Sequence, residues 1–178
     1  GARIQEAIGS TFAQSGFLFR EQSIMSGVVP MVAAMMGPGA AGTAYIPALA
    51  DFVPMVKGTS HMALGGPPLV KAVVGEDITP EELGGSKIHC EISGVADLEV
   101  PDDKGCIQVI KDYLSYFPQS NLERPPLVVS EDPEDRMDEE LLTLVPDSPR
   151  RAYDMKKVIH HIVDGGRFFE IKPGWAKN

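Results

Sequence analysis

The chain has 178 residues, of which 43% are hydrophobic, and a formal net charge of -9. This length suits one domain or slightly more, with enough apolar residues for a buried core. The acidity argues against nucleic-acid binding, which needs clustered lysine and arginine, and no apolar run approaches the roughly 18 residues that span a bilayer. The chain opens without methionine and without the basic and apolar segments of a signal peptide, and we expect it to be part of a longer protein.

The spacing of apolar residues changes along the chain in a way that predicts a mixed α/β fold. Intervals of three and four indicate helices, and short apolar runs bounded by glycine or proline indicate covered strands. The predicted elements are helical segments at 4–24, a strand at 28–36, a glycine-rich turn at 37–42, a helix at 43–50, strands at 52–56 and 61–64, helices at 65–74 and 79–83, mixed strand and loop at 88–100, a helix capped by Asp102 or Asp103 and ending at 117, a helix at 154–164 and a strand at 167–171.

Residues 119–149 are rich in proline, aspartate, glutamate and serine, which is typical of an extended crossing segment or a linker. Within this segment, residues 131–140 carry seven carboxylates and one arginine. A charge run of this kind usually forms a solvated surface. Two cysteines, Cys90 and Cys106, are too few for a disulfide framework, and we expect both to be reduced.

The glycine-rich turn at residues 37–42 is the strongest candidate for a binding site. A strand that passes through a tight turn into a helix directs several backbone N–H groups into one small space, beside the positive end of the helix dipole. Such a place can hold a phosphate group or an oxyanion. The match to G-x-G-x-x-G fits a dinucleotide site, but the ribose-binding acid expected near residues 57–65 is missing. The alternatives are a purely structural turn and an oxyanion hole formed by the N–H groups of Ala41 and Gly42.

No other group of side chains points clearly to catalysis. His160 and His161 are adjacent on a predicted helix and therefore face apart, and His61 and His89 are expected to be packing or surface residues. The sequence presents neither a nucleophile with a base and an orienting group nor a cluster of metal ligands. A reaction whose base is supplied by a cofactor would need none of these residues.

Short motifs of distinctive composition run through the chain. They are Gly-Ala-Arg-Ile-Gln-Glu at 1–6, Gly-Pro-x-Ala-x-Gly-x-x-Tyr-x-Pro-Ala at 37–48, Gly-Pro-x-x-Val-Lys at 66–71, Glu-Glu-Leu-Gly-Gly at 81–85, Ser-Gly-Val-Ala at 93–96, Asp-Pro-x-Asp-Arg at 132–136, Val-Pro at 145–146, Tyr-Asp-Met at 153–155, Ile-Val-Asp at 162–164, Phe-Phe-Glu-Ile at 168–171 and Ala-Lys-Asn at 176–178. In this order they resemble motifs of the carboxyltransferase (β) subunits of biotin-dependent acyl-CoA carboxylases, the propionyl-, acetyl- and methylcrotonyl-CoA carboxylase family. The ordered set is far more specific than the turn alone.

The resemblance implies an α/β chain with the crotonase-like β-β-α superhelix, as a fragment of a two-domain carboxyltransferase subunit. Residues 1–118 would be the C-terminal part of the N-terminal, acyl-CoA-binding domain. Residues 119–150 would be an acidic, proline-rich linker or crossover, and residues 151–178 the start of the C-terminal, biotin-binding domain. Because the biotin half of the site would be missing, the isolated fragment is expected to be inactive. Because the two halves of each site come from different subunits in this family, an obligate oligomer is expected.

The activity implied by the resemblance is the transfer of CO2 from carboxybiotin to the α carbon, or the vinylogous γ carbon, of an acyl-CoA. In this family the ureido nitrogen of biotin takes the α-proton, and the glycine turn of the N-terminal domain holds the enolate oxygen. By position, this catalytic role falls on the backbone N–H groups of Ala41 and Gly42, where family members usually have Gly-Gly. The implied acyl-CoA-binding residues are Gly1, Ala2, Arg3, Gly39, Ala40 and Thr43, and no metal is implied.

The implied cofactor is biotin, carried on a partner domain. The implied partners are the acyl-CoA, the biotin carboxylase and biotin carboxyl carrier subunits, and further copies of the chain in a dimer-based assembly such as a hexamer. The expected location is the bacterial cytoplasm or the mitochondrial matrix. Three alternatives stay open: a biotin-dependent decarboxylase or transcarboxylase subunit, an NAD-linked oxidoreductase that uses the turn at 37–42, and a non-catalytic assembly domain with the same fold.

Overall fold

The structure, a computed structural model, describes residues 16–177. These residues form two compact units, of which unit 1 comprises residues 16–117 and 171–177 and unit 2 comprises residues 118–170. The helix predicted over residues 4–24 lies partly outside the described residues, and its last part forms the helix Gly16–Met25. The assignment of an acyl-CoA-binding domain and a biotin-binding domain stays a prediction.

Unit 1 alternates short strands with helices, as expected for an α/β fold. The helices and strands predicted between residues 50 and 117 are present in order, with ends that differ by a few residues. The elements of unit 1 are α1 (Gly16–Met25), β1 (Pro38–Ala40), α2 (Gly42–Ala48), β2 (Pro54–Val56), β3 (His61–Ala63), α3 (Pro67–Val74), α4 (Pro80–Gly84), a π-helical turn (Ile88–Ile92), β4 (Leu98–Val100) and α5 (Asp103–Leu114).

The named strands of the described chain pair in parallel. β1 pairs with β3 so that Ala40 lies opposite Ala63, and β2 pairs with β4 so that Val56 lies opposite Val100. Parallel strands end at the same edge of a sheet. The turn that follows β1 therefore lies beside the loop that follows β3.

The prediction of a regular strand at residues 28–36 is wrong. The segment runs beside β2 and joins it through isolated bridges from Val32 to Phe52 and from Met35 to Met55. Within the segment Met31 and Met35 are buried, but Ala33, which a regular strand would place on the same face, is only half-buried. The first regular strand, β1, lies instead inside the segment predicted as a turn.

Two apolar clusters form the core of unit 1. The larger one joins the strands to α2 through Ala44, in the first turn of that helix. The end of β1 and the start of α2 are thus anchored to the core. The larger cluster contains Met35, Ala44, Val53, Met55, Met62, Cys90 and Ala96, and the smaller one contains Val56, Val100 and Cys106.

The strand predicted at residues 167–171 is not formed. Residues 171–177 instead belong to unit 1, where the Lys172 ammonium pairs with Asp97 and the Trp175 ring packs against Gly94. The mixed segment predicted at 88–100 contains a π-helical turn before β4. Unit 2 contains α6 (Leu141–Leu144), α7 (Met155–Ile162) and a 3-10 turn (Asp164–Gly166), and Asp154 caps α7 through the Lys156 N–H at 2.9 Å.

Candidate functional site

In the glycine-rich turn, a single residue, Ala41, separates the end of β1 from the start of α2. The Ala41 N–H donates to the Ala63 carbonyl at 3.0 Å, which extends the ladder between β1 and β3. The Ala41 carbonyl accepts from the Ala44 N–H at 2.9 Å, which begins the helix. The residue reaches both partners with φ 50° and ψ -121°, a conformation that favours glycine.

Thr43 stabilises the turn from the helix side. Its hydroxyl donates to the Ala40 carbonyl and accepts from the Ala40 N–H, both at 2.8 Å. One side chain therefore satisfies both backbone groups of Ala40 at the point where the ladder ends. The hydroxyl of Thr43, predicted to bind acyl-CoA, is engaged within the turn itself.

The two glycines of the turn that carry predicted roles differ in their surroundings. Gly39 is buried, and a Cβ at this position would come within 2.8 Å of the Met35 methyl carbon. Gly42 is half-buried, and a Cβ there would make an ordinary contact of 3.6 Å with Cζ of Phe19. A side chain at Gly39 would thus require the Met35 methyl group to move, whereas Gly42 has room for a side chain.

Of the two N–H groups predicted to form an oxyanion hole, that of Ala41 already has an acceptor, the Ala63 carbonyl. A bound oxyanion would have to share this donor with Ala63. Among residues 16–177, the Gly42 N–H has no hydrogen-bond acceptor. Gly42 is the first residue of α2, where an N–H group has no partner within the helix and feels the positive end of the helix dipole.

Aromatic residues beside the turn were not identified from the sequence. The rings of Phe19 and Tyr45 meet edge to face with centroids 5.7 Å apart, and Phe19 faces Gly42. Gln22 fixes α1 against α2 by donating from Nε2 to the Ile46 carbonyl at 3.0 Å. Phe19 lies 23 residues before Gly42 (42 − 19), and no local spacing in the sequence reveals that the two are in contact.

Gly1, Ala2 and Arg3, predicted to border the CoA pocket, lie outside the described residues, and Ala40 is exposed next to the turn. His89, expected to be a packing or surface residue, has ring nitrogens 2.8 Å from the Met62 carbonyl and 3.0 Å from the Ser93 hydroxyl.

A polar cluster lines a cavity of about 550 Å³ in unit 2. Arg136 pairs with Asp132 at 2.6 Å and donates to the His161 carbonyl at 2.6 Å. The His161 ring bonds to Asp138, and this bond holds the pKa of the Asp138 carboxyl below its usual range. His160 instead bonds to the Gly166 carbonyl at 2.6 Å, so the two histidines have different partners. These charged groups satisfy one another, which is typical of a structural network.

Two further kinds of feature are absent from residues 16–177. No group of three or more histidine, cysteine, aspartate or glutamate side chains is arranged to hold a metal ion. Over the same residues, no helix is both long enough and apolar enough to cross a membrane.

Known proteins match this chain over its whole length. Methylmalonyl-CoA decarboxylase subunit alpha of Veillonella parvula is 44% identical over 178 residues, which cover all of this chain and 35% of that protein. The carboxyltransferase subunit of propionyl-CoA carboxylase from Haloferax mediterranei is also 44% identical, with 34% of that protein covered. The crystal structure of transcarboxylase 12S, with hydrolysed methylmalonyl-coenzyme A bound, matches with a TM-score of 0.91 at 40% identity, over 100% of this chain and 35% of that one.

The chain spans about a third of the length of the relatives that it matches. The match to transcarboxylase 12S confirms the predicted crotonase-like α/β fold. All of residues 1–178 match the carboxyl transferase domain. The chain therefore belongs to the carboxyl transferase domain family.

Proposed function

We propose that the protein is the carboxyltransferase component of a biotin-dependent acyl-CoA carboxylase. The observation that carries this proposal is the N–H of Gly42 at the start of α2, which has no acceptor among residues 16–177, in a chain that matches the carboxyl transferase domain throughout. An N–H fixed in this way can stabilise the negative charge that develops on a thioester oxygen when the α-proton is removed.

In the proposed reaction, the Gly42 N–H donates to the thioester oxygen of the acyl-CoA. The bond strengthens as the thioester becomes an enolate, because the oxygen gains charge while the donor stays in place. The ladder bond from Ala41 to Ala63 and the Thr43 bonds to Ala40 hold the donor, so little reorganisation is needed during the reaction. When bound, biotin supplies the carboxyl group, and we place the residues that bind it in the C-terminal carboxyltransferase domain.

The relatives favour a short acyl-CoA as the substrate. One is named for methylmalonyl-CoA and the other for propionyl-CoA, compounds that differ by one carboxyl group. We therefore propose propionyl-CoA or a substrate of similar size. One relative is named a decarboxylase. The second candidate function is therefore the opposite reaction, in which the carboxyl group is removed from the acyl-CoA. The family match gives no support to the NAD-linked alternative.

The proposed partners are a biotin carboxylase, a biotin carboxyl carrier and further copies of this chain. Transcarboxylase 12S is described as a hexamer in a multienzyme core, which supports a dimer-based hexamer for this protein. Some relatives are mitochondrial, such as the human propionyl-CoA carboxylase beta chain. We propose the bacterial cytoplasm or the mitochondrial matrix as the location.

A pair of Gly42 variants tests the oxyanion role in the full-length protein with its biotin-carrying partners. Gly42→Pro removes the N–H at the first helical position, where proline is well tolerated. Gly42→Ala keeps the N–H and has space for its methyl group. We expect kcat for propionyl-CoA to be about a hundredfold lower in the proline variant than in the alanine variant, as for other oxyanion donors.

Thermal unfolding decides how the kinetic result is interpreted. Both variants should unfold within a few degrees of the wild type, and equal kcat values in two folded variants would contradict the role of Gly42. Independently, propionyl-CoA at about 100 times its Kd should stabilise the wild type by about 2.7 kcal/mol, and NAD should not. Stabilisation by NAD alone would contradict the proposed function.

A further inference from the structure

Unit 2 relies on polar contacts between its elements. None of the residues described in unit 2, residues 118–170, is buried. The helices α6 and α7 lie next to each other, and the His161 side chain at the end of α7 reaches the residues that lead into α6. The way in which these two helices are joined therefore depends on the charge of this ring and of its neighbours.

The His161 ring has a carboxylate at each of its two nitrogens. Nδ1 bonds to Asp138, and Nε2 lies 3.5 Å from a carboxylate oxygen of Glu140, the residue directly before α6. A neutral imidazole has one N–H and one lone pair, so it can donate to only one of these carboxylates. The imidazolium form has an N–H on each nitrogen, and it is the form that suits both neighbours.

The other groups around the ring also favour its positive charge. Arg136 pairs with Asp132 and donates to the backbone carbonyl of His161, so its charge is matched by a carboxylate of its own. His161 lies in the last turn of α7, where the helix dipole stabilises a cation. The charged and titratable neighbours of the ring are Asp132, Glu134, Arg136, Asp138 and Asp164 in the cavity wall, Glu140 before α6, and Lys157 and His160 on the same helix.

We propose that His161 is a pH-sensitive clamp that joins the start of α6 to the end of α7. The protonated ring holds both carboxylates. The neutral ring can still donate from Nδ1 to Asp138, but its lone pair at Nε2 then faces the Glu140 carboxylate and repels it. Histidine is the side chain that titrates between about pH 5 and 8, so the Glu140 contact is complete below this range and lost above it. The rigidity of the predicted linker, which contains α6, then depends on pH.

Hydrogen exchange of the α6 amides in the full-length protein tests the clamp. The N–H groups of residues 141–144 donate to the carbonyls of residues 138–140, so their protection reports whether this segment is held in place. Protection factors are compared at about pH 5.5 and about pH 8.5, after correction for the intrinsic pH dependence of exchange. Asp138 is ionised at both, because its bond to His161 holds the pKa of its carboxyl below the usual range. We expect protection in the wild type to fall about fivefold at the higher pH, the size of an exposed ion-pair contribution.

Three variants assign the effect to the ring and its second carboxylate. Glu140→Gln and His161→Gln should both abolish the pH dependence, and the Glu140 side chain is 77% exposed, so its replacement should not disturb folding. His160→Gln is the matched control and should keep the pH dependence, because the His160 ring bonds to the Gly166 carbonyl at 2.6 Å instead of to a carboxylate. A wild type with equal protection at both pH values, or a fall that persists in Glu140→Gln, would overturn the clamp.

Discussion

The ion pair between Lys172 and Asp97 allows a quantitative test of what holds residues 171–177 to unit 1. The Lys172 ammonium lies 2.6 Å from an Asp97 carboxylate oxygen and donates to the Gly94 carbonyl at 2.6 Å. The other oxygen of Asp97 accepts from the Val53 N–H at 2.7 Å. Asp97 is only 5% exposed, so its charge depends on these partners.

We expect Lys172→Met to reduce the free energy of unfolding by about 2–3 kcal/mol. Removing one partner of a fully buried ion pair costs about 3–5 kcal/mol, and an exposed pair is worth about 1 kcal/mol or less. The Lys172 side chain is 31% exposed and that of Asp97 is 7% exposed, so the pair lies between these limits but closer to the buried one.

Lys71→Met is the matched control, because Lys71 and Asp77 also lie 2.6 Å apart but their side chains are 64% and 79% exposed. We expect this variant to lose less than about 0.5 kcal/mol. The assay is urea unfolding of the full-length protein, with Asp97→Asn added to form a double-mutant cycle. Equal losses in the two lysine variants, or no coupling in the cycle, would refute the role assigned to burial.

Three further predictions concern single residues. Gly84→Ala should strongly destabilise the protein in thermal unfolding, because a Cβ at Gly84 would lie 2.0 Å from the Met62 carbonyl oxygen. The bond from His161 lowers the pKa of Asp138, so the stability that this carboxylate contributes is full above about pH 4 and should decrease as acid titration protonates it. Burial raises the pKa of the Cys90 thiol to about 12, so thiol reagents should label Cys90 at pH 8 only after unfolding.

Each of these predictions has a control. Gly37→Ala should have little effect on the unfolding midpoint, because nothing lies within 4 Å of a Cβ added there. Asp138→Asn should remove the acid-dependent part of the stability, and an unchanged pH profile in this variant would assign that part to other carboxylates. Fast labelling of Cys90 in the folded protein, measured by mass spectrometry, would contradict its burial. A stable Gly84→Ala variant would mean that α4 can move away from β3.

Local signals in the sequence predicted where the helices α4 and α5 begin. At α4 the Thr79 hydroxyl accepts from the Glu82 N–H at 3.2 Å, and the Glu82 carboxylate accepts from the Thr79 N–H at 3.0 Å. At α5 the Asp102 carboxylate accepts from the Gly105 N–H at 2.7 Å. The two residues of such a cap are three positions apart in the chain, so the cap can be predicted from the local sequence alone.

Features that depend on distant partners were not predictable in the same way. The apolar residues 28–36 have the composition of a buried strand, yet their pairing with β2 is limited to isolated bridges. The aromatic residues at 168 and 169 suggested a strand, but the chain instead reaches unit 1 at Lys172, through an ion pair with Asp97. The composition of a segment shows how apolar the segment is. Whether the segment forms a regular strand depends on the part of the chain that it packs against, which the local sequence does not show.

Within the turn at residues 37–42, local features were predictable from the sequence, and features that depend on a distant partner were not. The small residues and glycines at 37–42 predicted a tight turn that presents backbone donors, but they could not show which donor is available. That depends on the register of β1 against β3, which places Ala41 where its N–H must pair with Ala63. Because the chain leaves the ladder at Ala41, the next N–H, that of Gly42, has no strand carbonyl to meet. The hydrogen bond that occupies one predicted donor thus fixes the turn in which the other donor has no acceptor among residues 16–177.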